Sequence, residues 1–422
     1  MNVRRCAAAL AAAAVIGAAT PALAASPSPT PSVAIPDGLY GTADPTYDGV
    51  WRQSLALLAQ DTAGVVPADR AVAWLTGQQC ANGAFAAFRA DPAKPCDAKL
   101  MVDSNSTAAA VQALTALGGH ATETGKAVAW LKSVQNADGG WGYNPGGASD
   151  ANSTAVVTGA LVAAGERPEQ VVKGGKSPYD ALLTFALPCT GDGAGAFAYQ
   201  PDKQGELTAN ADATAAAVLG ALGQPLNASA EKADKTADKT AGKTADKKAT
   251  ATASGCAAPA TPEQAARNGA RYLSTALAKD HHLVSALPGA ENQPDYGNTA
   301  DAVVALAAAG HADEAAAAQH WLEANAPQWA AQSGPAAYAQ LVLAAHATGT
   351  DPRAFGSTDL VRLLDATGPA PQQTATKKPE ASGTSDDDGS TTTLWVTVGA
   401  VVLVVLVAAA LFLARARRRQ QP

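Results

Sequence analysis

The chain repeats itself, and a long internal repeat limits the fold before any local propensity does. Residues 127–165 read AVAWLKSVQNADGGWGYNPGGASDANSTAVVTGALVAAG, and residues 71–118 read AVAWLTGQQCANGAFAAFRADPAKPCDAKLMVDSNSTAAAVQALTALG. Trp74 aligns with Trp130, Gln79 with Gln135, Gly83 with Gly139 and Phe85 with Trp141. Asp103 to Thr107 (DSNST) aligns with Asp150 to Thr154 (DANST). Each unit reads as helix, glycine-rich aromatic loop, helix. The second helices stop at Gly118, Gly165, Gly223, Gly310 and Gly349, since glycine takes the left-handed conformation that ends a helix. Fifteen residues before each stop lie Asp103, Asp150, Thr208, Asp295 and Gly334, so the spacing survives where the sequence has drifted. Five copies follow. The periodicity predicts twelve helices, near 48–60, 68–79, 104–117, 124–134, 151–164, 178–187, 208–222, 263–278, 296–309, 312–325, 335–347 and 357–366. The first and last would form a sixth pair, which closes a ring and removes the need for polar end caps.

The two termini point to a membrane-anchored, exported chain. Residues 1–25 combine Arg4 and Arg5, an apolar run, and Ala22-Leu23-Ala24 before the expected cleavage, the pattern of a secretory signal peptide. Leu394 to Leu413 is uncharged and apolar, about the length that spans a bilayer. Arg415, Arg417, Arg418 and Arg419 follow, which places the C-terminus in the cytoplasm and the N-terminal domain outside the cytoplasmic membrane. The expected organisation is a signal peptide (1–25), a Pro/Ser-rich arm (26–47), a helical domain (48–366), a polar stalk (367–393), one transmembrane helix (394–413) and a basic tail (414–422).

Cysteine usage agrees with export. Cys6 leaves with the signal peptide, and Cys80, Cys96, Cys189 and Cys256 remain, an even number for an oxidising compartment. Three pairings are open. The preferred one joins Cys80 to Cys96 across the first loop and Cys189 to Cys256 at the base of an insertion. That insertion, 230–254, is a slippage of Ala, Asp, Lys and Thr, and its composition cannot supply a core. Its alternative role is a basic arm that contacts anionic wall polymer. A net charge of −7, from 30 basic and 37 acidic residues, disfavours nucleic acid as a partner.

The unit from Trp130 through Gln135 to the Asp138-Gly139-Gly140-Trp141 run resembles the repeats of terpenoid cyclases and protein prenyltransferases. In the later copies only Gly195 with Phe197, Tyr272 with Leu273, and Trp321 with Leu322 remain of it. The resemblance implies an all-α fold, an α/α toroid of about six inner and outer helix pairs around a cavity. It also implies that the second helix of each unit lies inside. Trp74, Trp130, Trp141 and Trp321 are read as structural staples, because aromatics at helical spacing are usually core. The enzymes of the superfamily need chemistry that is missing here. No Asp-x-Asp-Asp acid motif lies in 48–366, since the one Asp run, Asp386 to Asp388, falls in the stalk. His281 and His282 are adjacent and match no zinc-ligand spacing. No catalytic residue, metal or cofactor is therefore assigned.

What remains is a cavity. If the inner helices run the same way, their N-termini gather at one rim. Asp103, Asn105, Thr107, Asp150, Asn152, Thr154, Asn210, Asp212, Tyr296, Asn298 and Asp301 would cluster there, with Tyr143 and Tyr199 on loops that could cover a ligand. Such residue types are also ordinary helix caps. The expected function is non-enzymatic binding. Resemblance to the cobalamin-binding branch implies a corrinoid or other large nutrient, passed to a membrane transporter. Two rivals stand beside it: an isoprenoid cyclase or prenyltransferase using Asp103, Asp150, Asp212 or Asp301, and an adhesive surface module that contacts polymer through 230–254.

Overall fold

Alanine builds these helices and decides how closely they meet. It is the best helix former and adds almost no bulk. The computed structural model describes residues 34–230, 255–286 and 290–372, and among them the fold is all-α: thirteen α-helices with one two-stranded ribbon (Leu283–Val284 against Pro294–Asp295). Six helices are buried on nearly every side: α1 (Gly49–Thr62), α3 (Ser104–Leu117), α5 (Ala151–Ala163), α7 (Ala211–Ala221), α9 (Tyr296–Ala308) and α12 (Pro335–Thr348). A helix apolar all round belongs in an interior, and α3 shows how: Ala108, Ala109, Ala110, Val111, Ala113 and Leu114 are all buried. These central helices are neighbours in sequence order. α1 packs on α3, α3 on α5, α5 on α7, α7 on α9, α9 on α12, and α12 on α1.

A second set buries one face only: α2 (Asp69–Gly77), α4 (Ala121–Ser133), α6 (Pro178–Thr184), α8 (Pro262–Leu277), α10 (Ala312–Asn325) and α13 (Leu360–Asp365). Each packs on one or two central helices, as α4 does on α3 and α5. All twelve helices expected from the periodicity are present, within a few residues at their ends. A short helix, α11 (Pro327–Ser333), was not foreseen; one buried residue, Ala330, leaves it no periodic signal to read. The five glycine stops all have positive φ, from 61° at Gly223 to 82° at Gly310.

Two features tie the layers together. Gln135 donates from Nε2 to the carbonyls of Gly139 (2.8 Å) and Val171 (3.1 Å), and Gln79 does the same to Gly83 (3.1 Å) and Glu123 (2.8 Å). The repeat glutamine thus satisfies backbone groups of its own loop and of the next unit. Trp141, fully buried, donates from Nε1 to Leu131 O at 2.8 Å. Gly83 and Gly139 both sit at positive φ (95° and 88°), and a Cβ on either would collide with the backbone of Lys126 or Ser177. Disulfides Cys80–Cys96 and Cys189–Cys256 are formed, the preferred pairing.

The domain is longer than expected at both ends. The arm is packed from Pro36 onward, because Leu39 and Tyr40 are buried. Tyr40 Oη donates to Gln60 Oε1 (2.9 Å) and to Pro369 O (3.3 Å), and Gly41 N donates to Thr367 O (2.8 Å). Gln372 donates from its backbone to Val66 O (2.9 Å) and from Nε2 to Asp69 Oδ1 (2.8 Å). The start of the expected stalk is therefore docked, against the N-terminal arm, the α1–α2 loop and the first residue of α2. No helix among the described residues is long and apolar enough to cross a membrane. The signal peptide (1–25), the insertion beyond Ala230, the rest of the stalk, the span at 394–413 and the basic tail lie outside the described residues.

Gly139→Ala adds both backbone strain and a clash, and is expected to cost about 2–4 kcal/mol. Gly119→Ala, where an added Cβ meets nothing within 4 Å, should cost about 1 kcal/mol from strain alone. Chemical denaturation of the two variants measures the difference, and equal midpoints would refute the close approach.

Candidate functional site

One hydrogen-bonded device recurs at the N-termini of α3, α5, α7 and α9. The cap residue accepts from the backbone N–H three residues on: Asp103 from Ser106 (2.6 Å), Asp150 from Ser153 (2.6 Å), Asn210 from Ala213 (2.8 Å) and Asp295 from Asn298 (3.1 Å). This is ordinary capping of free helix donors. A threonine one turn in then reaches back to the preceding loop. Thr107, Thr154, Thr214 and Thr299 accept through Oγ1 from the N–H of Phe85 (3.0 Å), Trp141 (3.1 Å), Phe197 (2.9 Å) and Leu283 (3.0 Å). All four threonines are fully buried. Asp103, Thr107, Asp150, Thr154 and Asn210 thus hold the backbone. The fifteen-residue spacing falls on Thr208, whereas the third cap is Asn210, two residues on and among the expected rim residues.

Residues two past the cap point elsewhere. Asn105, Asn152 and Asp212 each follow their cap by two positions and line a cavity of about 180 Å³. Asp301 on α9, Gln340 on α12 and Trp51 on α1 complete its polar wall, so all six central helices contribute. Since each supplies residues from its first two turns, the helices run the same way and their N-termini meet at this end. The rest of the lining is apolar: Leu55, Val156, Ala215, Ala216, Leu219, Leu226, Val304 and Leu343. A shallower groove of about 250 Å³ shares Trp51 and Asn105 with the cavity and adds Tyr47, Asp48, Ser106 and Tyr143. It forms a mouth.

Of the remaining candidates, Tyr143 and Tyr199 are partly exposed (42% and 43%) on their loops, Tyr143 in the mouth. Their backbone carbonyls accept from Ser104 N (2.9 Å) and Ala151 N (3.0 Å), which fastens each loop to the N-terminus of the preceding central helix, α3 or α5. Tyr296 and Asn298 do not line the cavity. Asn298 donates to Asp295 (2.8 Å). Tyr296 lies in a stack with Trp321 and Trp329, ring centroids 5.3 Å and 5.5 Å away, and His282 caps Trp321 at 4.2 Å. Trp51 and Gln340 were missed by sequence reasoning. The signal available for Gln340 was its place in the first two turns of a second helix, expected to lie inside; for Trp51 neither helix of the closing pair had been given a layer.

The electrostatics of the cavity are one-sided. Asn152 donates to Asp212 (2.7 Å), and Gln340 donates to both carboxylate oxygens of Asp301 (3.2 Å each). Among the described residues no lysine, arginine or histidine lines the cavity. The Oδ1 atoms of Asn105 and Asn152 are buried without a hydrogen-bond partner. The positive ends of the helices favour ionised carboxylates, yet burial outweighs them. It pushes Asp301 up to about 7, assisted by the charge of Asp212, and raises Asp212 as well. Burial also lifts the cap Asp103 to about 6 against the hydrogen bonds from Ser106.

These shifts set the sign of the pH dependence. A raised carboxyl binds its proton more tightly folded than unfolded, so the stability it contributes is present in acid and is lost as pH rises through the folded value. For Asp301 the loss runs from about pH 4 to about pH 7, and at about 1.4 kcal/mol per unit it amounts to a few kcal/mol. Asp301→Asn removes that loss. Its melting temperature should exceed that of the parent at pH 8 and approach it at pH 4.5, as differential scanning fluorimetry would read. A constant offset at both pH values would contradict the burial of this charge.

Comparison with known proteins adds no identity. No protein-family model matches the chain, and no curated protein is similar to it. Among solved structures, the crystal structure of a protein from Actinoplanes aligns with 74% of this chain and 94% of its own, at 16% identity and a TM-score of 0.45. A likeness at that level carries no conclusion about fold or function.

Proposed function

We propose that the six central helices form the inner ring of an α/α toroid, with the six one-faced helices as its outer ring. We read it as a non-catalytic ligand-binding domain, held outside the cytoplasmic membrane by the span expected at 394–413. The observation that carries this reading is the cavity itself: six helices from across 290 residues place their first turns around one chamber, and apolar lining with a few convergent polar groups is how ligand sites are built. The two disulfides fit an oxidising compartment.

The chamber narrows the ligand. At about 180 Å³ it falls below the ~300–1,000 Å³ that encloses a drug-sized molecule. A corrinoid would have to lie across the mouth, so a smaller ligand is favoured. Isoprenoid diphosphates fit poorly, because phosphate sites call for cationic side chains or helix donors and this wall presents Asp212 and Asp301. One observation favours a second reading. A buried carboxyl near pH 7 in an apolar chamber, such as Asp301, is suited to act as a general acid, as an isomerase or cyclase of a small alkene would need.

Native mass spectrometry of the full-length chain with corrinoids, isoprenoid alcohols and small polar metabolites separates the two. A stoichiometric adduct of unchanged ligand mass is expected, lost in Trp51→Ala. An altered ligand mass would overturn the non-catalytic reading. Adducts of equal strength in Trp51→Ala would remove the cavity as the site.

A further inference from the structure

We infer that the cavity takes a small organic cation, a protonated amine with a short apolar body, whose ammonium group is held by Asp212 and Asp301. This inference rests on the ligand-binding reading above and names its ligand class. The polar wall is rich in acceptors: two carboxylates and three amide carbonyls line it. Two of the three amide donors that face it are already committed, Asn152 Nδ2 to Asp212 and Gln340 Nε2 to Asp301, which leaves Asn105 Nδ2. The carbonyl oxygens left over, Asn105 Oδ1 and Asn152 Oδ1, are buried and have no donor. Buried acceptors without donors are costly and uncommon. The group that would satisfy such a wall is a multiple donor, and an ammonium carries three N–H bonds and no acceptor.

Charge points the same way. Two carboxylates share a chamber with no cationic side chain in its lining. Buried charges ordinarily come paired, and here no pairing charge comes from the lining. Burial and the negative charge of Asp212 hold a proton on Asp301 up to about pH 7, at the place where a ligand's positive charge would sit. A monocation replaces that proton without adding net charge to the wall.

The apolar part of the lining selects an organic cation over a metal. Calcium and magnesium require six or more oxygen ligands or retained water, whereas Leu219, Val304 and Leu343 supply none. They do supply a surface for a short hydrocarbon body. Trp51, at the junction of chamber and mouth, adds an aromatic wall, and indole attracts cations through its ring face.

The test is isothermal titration calorimetry of the full-length chain at pH 7.5 with four probes: n-butylammonium, its neutral analogue 1-pentanol, its anionic analogue pentanoate, and calcium chloride. The expected result is saturable one-site binding of n-butylammonium, at least tenfold tighter than 1-pentanol and with no response to pentanoate. Asp301→Asn and Asp212→Asn should each weaken it at least tenfold. Both substitutions remove buried charge, and circular dichroism confirms that they fold; if one does not, the other carries the test. Binding of 1-pentanol or pentanoate as tight as n-butylammonium, and abolished by Trp51→Ala, would overturn the cation assignment and leave the binding reading intact. Calcium binding tighter than the amine and lost in Asp301→Asn would overturn it in favour of a metal site. No response to any of the four would also overturn it. In that case adducts with the mass-spectrometry panel keep the ligand-binding reading, and silence there removes both.

Discussion

A threonine hydroxyl one turn into each of four central helices is the contact on which the site depends. Thr107, Thr154, Thr214 and Thr299 each accept from the backbone of the loop that precedes the helix. The bond sets the angle at which the chain turns from loop into helix, and it leaves the cap residue to satisfy the first free donors. Once cap and loop are fixed, the residue two past the cap has one place to go. In α3, α5 and α7 that residue is Asn105, Asn152 or Asp212, and the place is the cavity wall. Capping and cavity lining are thus divided between neighbours two residues apart.

The same arrangement explains why polar side chains are tolerated inside an alanine-rich core. Each cap carboxylate or amide accepts from backbone donors, which offset part of the cost of its burial, although burial still raises Asp103 and Asp150. The cavity residues lack that compensation. Asp212 and Asp301 have one amide partner each, and their raised proton affinities measure how poorly the chamber solvates charge. A domain built only to be stable would replace them by apolar residues. Retaining them lowers stability at neutral pH, which accords with the ligand-binding role proposed for the cavity.

The ends of the domain close on one another. Tyr40, from the Pro/Ser-rich arm, bonds to α1 and to Pro369, while Gln372 bonds to Val66 and Asp69. Chain segments more than 300 residues apart in sequence therefore meet beside α1 and α2. Composition misled here: the Pro- and Ser-rich bias of 26–47 belongs to its first part, and the docked tyrosine sits past it, single and without periodicity.

Twelve of the thirteen described helices, with their order and stops, were legible in the sequence, because they rest on short-range causes: a 3.6-residue period, a cap type and a glycine that readily accepts positive φ. The disulfide pairing was legible too, since the Cys80–Cys96 pair spans only a single loop. The set of residues at the rim was readable as a group, through the recurring DSNST and DANST motifs, but its division into caps and cavity wall was not. Asp103 and Asn105, or Asn210 and Asp212, look alike in composition, and only their angle about the helix axis separates them. Trp51 and Gln340 carried no motif at all. The tertiary structure decided which side chains face one another, because the partners of each come from other helices, as when Asn152 meets Asp212 from 60 residues away. A local code can specify where a helix begins; it takes the packing of six helices to make their first turns into one chamber.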